Sequence, residues 1–256
     1  MAPLLEIDHL SIRFGGLWAL QDFCFTLEQG ELVALIGPNG AGKTTAFNII
    51  TGVYAPTSGS IRLNGRDVHG ESPAVLNHAG LARTFQNIRL FQNLTVLENV
   101  TVALRSVSSG LLSTFLRGPV FHKHQDARDD EGRKLLETMR LAHLADRPAK
   151  TLPYGDQRRL EIARALATAP RILLLDEPAA GMNPREKIEL MDLIRFIRDQ
   201  FNVGVWLIEH DMKLVMSICE RITVLDHGET IAVGSPAQIQ ADPKVIEAYL
   251  GEPVKN

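Results

Sequence analysis

Apolar positions change rhythm along this chain, and the change divides it into strand-like and helix-like stretches. Leu5 to Ile12 alternates apolar and polar residues at period two, the pattern of a half-buried strand. Phe23 to Leu27 is expected to form a second strand, and Glu28-Gln29-Gly30-Glu31 a turn. Leu32-Val33-Ala34-Leu35-Ile36 is apolar throughout, as a strand buried on both faces should be. Ser60 to Arg66 contains Asn64-Gly65, the strongest short hairpin signal. Helical spacing takes over from Leu94: Thr95 to Leu104, Asp129 to Leu141 and Gly155 to Ala167 are predicted helices. Between the first two, Ser106 to His124 mixes Ser, Gly, Pro and apolar residues and is expected to be an irregular insertion with helical pieces. Strands return at Ile172 to Leu175, Val203 to Ile208 and Ile222 to Leu225, and a last hairpin is expected at His227-Gly228. No internal repeat is evident. Strands and helices alternating after residue 170 imply an α/β core with a parallel sheet.

Composition adds limits. A chain of 256 residues, 45 % hydrophobic, can bury a core without disulfide or metal staples. The net charge of −3 does not support a nucleic-acid footprint. Cys24 and Cys219 lack metal spacing and sit among apolar neighbours, so both are expected to be buried thiols of a reducing compartment. The Met1 to Glu6 segment has no basic and apolar signal pattern, and no run approaches the roughly 18 apolar residues of a membrane span. Work at a membrane would then proceed through a partner. His122, Lys123 and His124 read as a solvated loop rather than a metal or basic patch.

The chemistry is concentrated in a few stretches. Gly37-Pro38-Asn39-Gly40-Ala41-Gly42-Lys43-Thr44-Thr45 fits G-x-x-x-x-G-K-[ST], between a buried strand and a helix that continues to Ile50. Glycines let the backbone turn its N–H groups onto phosphate oxygens, and the helix N-terminus adds partial positive charge. Lys43 can reach the β/γ-phosphates, and the Thr44 hydroxyl can ligate Mg²⁺. Ile172 to Leu175 leads into Asp176-Glu177. Carboxylates at the end of an apolar strand are costly unless paired or metal-bound, which suggests Asp176 in a Mg²⁺ shell and Glu177 as general base for an attacking water. His210 follows the apolar run Val203 to Glu209 and is expected to sense the γ-phosphate.

Together these residues resemble the ATP-binding cassette (ABC) ATPases over essentially the whole chain. The resemblance implies one ABC ATPase domain over 1–256. Its fold would be a P-loop NTPase with a RecA-like parallel-sheet core, an N-terminal antiparallel β subdomain and a helical subdomain inserted at about 88–168. Leu152 to Leu166 is similar to the family's signature and its helix. Pro153 stands at the signature serine, Tyr154 at the first glycine and Asp156 at the glutamine, with Gln157 next. Proline offers no hydrogen-bond donor there, so Gly155 N–H and the helix N-terminus would carry the anion contact.

By the same resemblance Phe14 stacks on adenine, Gln86 touches Mg²⁺ and senses a membrane partner, and Asn183 stands where the D-loop aspartate is usual. Asn183-Pro184-Arg185-Glu186 also reads as N-cap, N1 proline and N3 glutamate of a helix. The implied cofactors are ATP and Mg²⁺. The implied partners are transmembrane permease subunits, a second ABC ATPase in a head-to-tail dimer and, indirectly, a substrate-binding protein. The implied location is peripheral, on the cytoplasmic face of the inner membrane. Arg13 to Leu17, Arg83 to Phe91, Asp176 to Pro184 and Ala248 to Glu252 further resemble an ATPase subunit of branched-chain amino-acid importers. Two alternatives stand beside that expectation: an ABC ATPase for another cargo such as lipid export, and a nucleotide-gated scaffold with little hydrolysis.

Overall fold

The computed structural model describes residues 2–105 and 119–250. In chain order its elements are β1 (Leu5–Phe14), β2 (Leu17–Leu27), β3 (Leu32–Ile36), α1 (Lys43–Ile50), β4 (Ser58–Leu63), β5 (Arg66–Asp67), α2 (Pro73–His78), β6 (Leu81–Arg83) and α3 (Val96–Thr101). There follow α4 (Pro119–Thr138), α5 (Tyr154–Ala167), β7 (Ile172–Asp176), α6 (Pro184–Phe201), β8 (Gly204–Ile208), α7 (Met212–Ile218), β9 (Arg221–Asp226), β10 (Glu229–Gly234), α8 (Pro236–Ala241) and α9 (Pro243–Leu250). The chain divides into two compact units, one of residues 1–86 with 171–256 and one of residues 87–170.

The first unit holds two sheets. An antiparallel sheet has the order β2-β1-β4-β5. A six-stranded sheet has the order β10-β9-β3-β8-β7-β6, parallel from β9 to β6 with β10 antiparallel at one edge. β3, β7 and β8 are buried at every position, which is why they read as continuous apolar runs. Buried residues of both sheets and of α1 form one core cluster. At its centre Trp206 of β8 stacks on Phe25 with ring centroids 3.8 Å apart and meets Phe47 of α1 edge-on at 5.0 Å. The Asn64-Gly65 hairpin forms as expected, with both residues at positive φ between β4 and β5.

The N-terminal strands depart from a simple period of two. β1 pairs Ile7 with Phe25 and Leu10 with Phe23, so Asp8 and His9 together face Cys24. This is a bulge: it leaves Ile7 and Leu10 both inward and turns Asp8 and His9 both outward. Cys24 is exposed, which corrects the expectation of a buried thiol. Its apolar neighbours Phe23 and Phe25 take the inward positions of β2, so the residue between them points out. Cys219 is buried as expected.

The second unit contains α3, α4 and α5 with short 3₁₀ turns at Ala142–Leu144 and Ala149–Thr151. Thr95 and Glu98 form a reciprocal capping box that starts α3. α4 begins at Pro119, earlier than the expected Asp129, so the backbone at His122, Lys123 and His124 is helical rather than a loop. Residues 106–118 of the expected insertion lie outside the described residues. Arg158 of α5 is fully buried; it pairs with Glu161 at 2.7 Å and donates to the Tyr154 hydroxyl at 3.1 Å.

Candidate functional site

The phosphate-loop geometry starts from what β3 and α1 force on six residues between them. The loop turns back over the ends of β3 and β9, and two of its three glycines, Gly37 and Gly42, sit where no side chain fits. A Cβ on Gly37 would stand 2.0 Å from the Leu225 carbonyl oxygen, and one on Gly42 2.5 Å from that of Ala19. Both glycines have positive φ, and Gly42 is the N-cap of α1. Asn39 and Gly40, at the loop's outer edge, are exposed. The first N–H groups of α1, at Lys43, Thr44 and Thr45, belong to the helix turn that lacks intrahelical acceptors, and the Thr44 side chain is exposed. Pro38 and Ala41 close the loop through an Ala41 N–H to Pro38 carbonyl bond of 3.2 Å.

Lys43 is 8 % exposed, and its ammonium donates to the Gly37 and Pro38 carbonyls at 2.7 and 2.8 Å. Burial holds its pKa below the ordinary lysine value, while the charges of Glu177 and Asp176 work in the opposite direction. The ammonium thus rests on two carbonyls of its own loop.

A second cluster forms where β6, β7 and β8 end. Glu177 follows β7 at a positive φ of 47° and its N–H donates to the Ile208 carbonyl of β8. That bend is unusual for a residue with a Cβ. It accompanies a carboxylate that accepts from Gln86 Nε2 at 2.8 Å and lies 3.6 Å from His210 Nδ1. Gln86, Glu177 and His210, far apart in the chain, are therefore one constellation. Parallel strands make this possible, because their C-terminal ends lie on one side of the sheet.

Three contributors escaped the sequence reading. Arg83, at the end of β6, pairs with Asp176 at 2.7 Å with both side chains nearly buried. It also donates to Asn48 Oδ1 and Thr51 Oγ1 of the α1 segment. Glu209 is 1 % exposed; its carboxylate accepts the N–H of Ala179 at 2.9 Å and of His210 at 3.2 Å. Burial raises its pKa, and these N–H donors oppose the rise. It ties the turn after Glu177 to the backbone of His210. Tyr249 of α9 is the third. Partial burial raises its phenol pKa, and the Gly37 backbone N–H works in the opposite direction. The only sequence signal for Arg83 and Glu209 was a charged residue ending an apolar strand.

The remaining expected residues are placed separately. Phe14 closes β1, is 47 % exposed and packs edge-on to Tyr54 at 5.3 Å. Tyr154, Gly155, Asp156 and Gln157 form the first turn of α5 in the second unit; Pro153 is its N-cap and gives no side-chain cap. Gln157 Nε2 donates to the Leu152 carbonyl at 2.9 Å. Asn183 caps α6 reciprocally with Glu186, as its sequence context predicts.

A phosphate loop at the end of a buried strand, with an acid pair on a strand of the same parallel sheet, defines a P-loop nucleotide hydrolase. Residues 20–180 match the ABC transporter family, and residues 229–255 match the branched-chain amino acid ATP-binding cassette transporter family. The chain belongs to the ABC transporter family and is an ATP-binding ATPase. It is 48 % identical to the high-affinity branched-chain amino acid transport ATP-binding protein BraF of Pseudomonas aeruginosa and 49 % identical to LivG of Escherichia coli K12, over 98 % of each chain. The lipopolysaccharide export ATP-binding protein LptB of Escherichia coli K12 is more distant, at 32 % over 97 % of each chain. A crystal structure of a nucleotide-free ATP-binding cassette from an ABC transporter superposes with a TM-score of 0.85 at 30 % identity, covering 98 % of this chain and all of the other.

Proposed function

We propose that this chain is the ATP-hydrolysing subunit of a branched-chain amino-acid importer. The observation that carries hydrolysis is the convergence of Gln86, Glu177 and His210 beside the phosphate loop. The cargo reading rests on the match at residues 229–255 and on the likeness to BraF and LivG.

Gly37 to Thr45 would hold the β- and γ-phosphates through backbone N–H groups, with Lys43 swinging from its carbonyl partners onto the γ-phosphate. Phe14 would stack on the base. Thr44 hydroxyl, Asp176 carboxylate and Gln86 amide oxygen are hard oxygen donors and suit Mg²⁺. Arg83 holds the Asp176 carboxylate in place through its Oδ2. Bound Mg²⁺ would supply charge neutralisation for the leaving phosphate. Glu177 would orient the attacking water and accept its proton, and His210 would contact the γ-phosphate from the adjoining strand end. Gln86 would couple this to the membrane: a shift of its segment breaks its bond to Glu177 and frees the carboxylate.

The phosphate loop's outer edge, at Asn39 and Gly40, is open to solvent. A second ABC ATPase would cover it, presenting Gly155 N–H and the α5 N-terminus, with Tyr154, Asp156 and Gln157 around it, to the phosphates. Among the described residues no helix is long and apolar enough to cross a membrane. The chain would therefore sit peripherally on permease subunits at the cytoplasmic face of the inner membrane, served indirectly by a substrate-binding protein. We assign the helical subdomain, at about residues 88–168, the permease contact.

The test is leucine uptake in cells lacking this gene, restored with wild type or Glu177→Gln, alongside ATPase assay of the purified assembly. Loss of general-base action should lower turnover by about 10²–10⁴-fold and leave uptake unrescued. Rescue by the variant would instead support a nucleotide-gated scaffold. Undiminished uptake in the deletion strain would count against the cargo assignment.

A further inference from the structure

The exposed face of the N-terminal sheet gathers donor atoms that the ATPase reaction does not use. The bulge in β1 turns Asp8 and His9 to the same side as Cys24. One donor atom from each of Asp8, His9 and Cys24 lies within 4.8 Å of the other two. Two further features of the chain build this arrangement. Gly59 of β4 makes room for the bulge: a Cβ there would meet the His9 carbonyl oxygen and the Leu10 Cα at 2.6 Å. Between Leu10–Phe23 and Ile12–Leu20 the pairing slips again, and Asp22 emerges at a positive φ of 52°.

Asp22 organises the imidazole. Its Oδ1 lies 2.5 Å from His9 Nδ1, which occupies that ring nitrogen and leaves Nε2 for a ligand. On the Nε2 side Asp8 Oδ1 stands 3.6 Å away. Two ligands of a tetrahedral Zn²⁺, each about 2.1 Å from the metal, are about 3.4 Å apart. A carboxylate on one imidazole nitrogen and a second ligand at coordination spacing from the other is the carboxylate–histidine–metal arrangement. The side chains of Asp8, His9 and Asp22 are 60–69 % exposed, so an ion can reach them from solvent.

We propose that Asp8, His9 and Cys24 form a surface site for Zn²⁺ or another thiolate-seeking divalent cation, with Asp22 orienting His9 and a water completing the tetrahedron. A mixed O, N and S donor set selects such metals over Mg²⁺, which takes oxygen ligands. The site is therefore separate in chemistry, as well as in sequence, from the nucleotide-linked Mg²⁺ ligands.

The test titrates Co²⁺ into the reduced, chelator-treated full chain without nucleotide. One equivalent should bind with a thiolate-to-cobalt charge-transfer band and the visible bands of a tetrahedral ion, and Zn²⁺ should displace it. Cys24→Ser should abolish the charge-transfer band, and Asp22→Asn should weaken binding by about 10–100-fold. Both positions are exposed, so these variants should fold, which circular dichroism would check. Absence of the band in wild type, or its persistence in Cys24→Ser, would overturn the assignment. So would equal affinity in Asp22→Asn, for the orienting role.

Discussion

Replacing Arg83 by Met isolates the ion pair beneath the acid cluster. Met keeps most of the side-chain volume but removes the cation 2.7 Å from Asp176. The two side chains are 6 % and 4 % exposed, so solvent cannot stand in for the lost charge. Breaking such a buried pair from one side costs about 3–5 kcal/mol, because the remaining charge stays in a medium that solvates it poorly. The variant also loses donors to Asn48 and Thr51 and the contact of the guanidinium with the Phe85 ring at 4.9 Å. Against a typical stability of about 5–15 kcal/mol, a loss near 4 kcal/mol is close to a thousandfold in the folding equilibrium. Urea unfolding followed by tryptophan fluorescence reads this directly, since Trp206 is fully buried in the core of the same unit. The double variant Arg83→Met with Asp176→Asn separates charge from packing. It should recover at least half of the loss, because neither charge is then stranded. A single-variant loss below about 1 kcal/mol, or strictly additive losses in the double variant, would refute the reasoning.

Two further outcomes follow from the electrostatics. A hydrogen bond from Lys187 holds Asp211 below its ordinary carboxylate pKa of 3.8. A depressed pKa stabilises the fold above the unfolded-state value, and the contribution is lost as pH falls through the folded-state value. Lys187→Met should therefore cost at most about 1 kcal/mol near neutral pH, since the pair is partly solvated. The deficit should shrink to nothing in acid, and one that persists there would exclude the ion pair as its cause. Burial pushes the Cys219 thiol up to about 12. A thiol reagent at about pH 8 should label native protein at exposed Cys24 and spare Cys219. Rapid labelling that survives Cys24→Ser would contradict the burial.

The phosphate loop was legible because strand, loop and helix are contiguous: the apolar run, the glycines and Lys43-Thr44 carry their structure locally. The α6 cap was legible for the same reason, since Asn183 and Glu186 are three residues apart. The bulge was missed, because Leu5 to Ile12 was read as one period-two run although its apolar positions shift from Leu5 and Ile7 to Leu10 and Ile12. That phase slip puts Asp8 and His9 on one face, but only pairing with β2 sets them opposite Cys24. Cys24 itself was misread because apolar neighbours along a strand mark the opposite face, not the same one.

What the sequence alone determined was the chemistry present: a phosphate cradle, an acid pair, a histidine after a buried strand, and elements of the right period to build a parallel sheet. What the tertiary structure decided was which of these groups meet. The order β9-β3-β8-β7-β6 is set by crossovers, so β6 lies beside β7 although the whole second unit, residues 87–170, comes between them in the chain. Arg83 reaches Asp176, Gln86 reaches Glu177, and Glu209 reaches Ala179 only because those strand ends share one edge. Local pattern encodes burial and period, whereas a side-chain pair between distant segments depends on register and strand order.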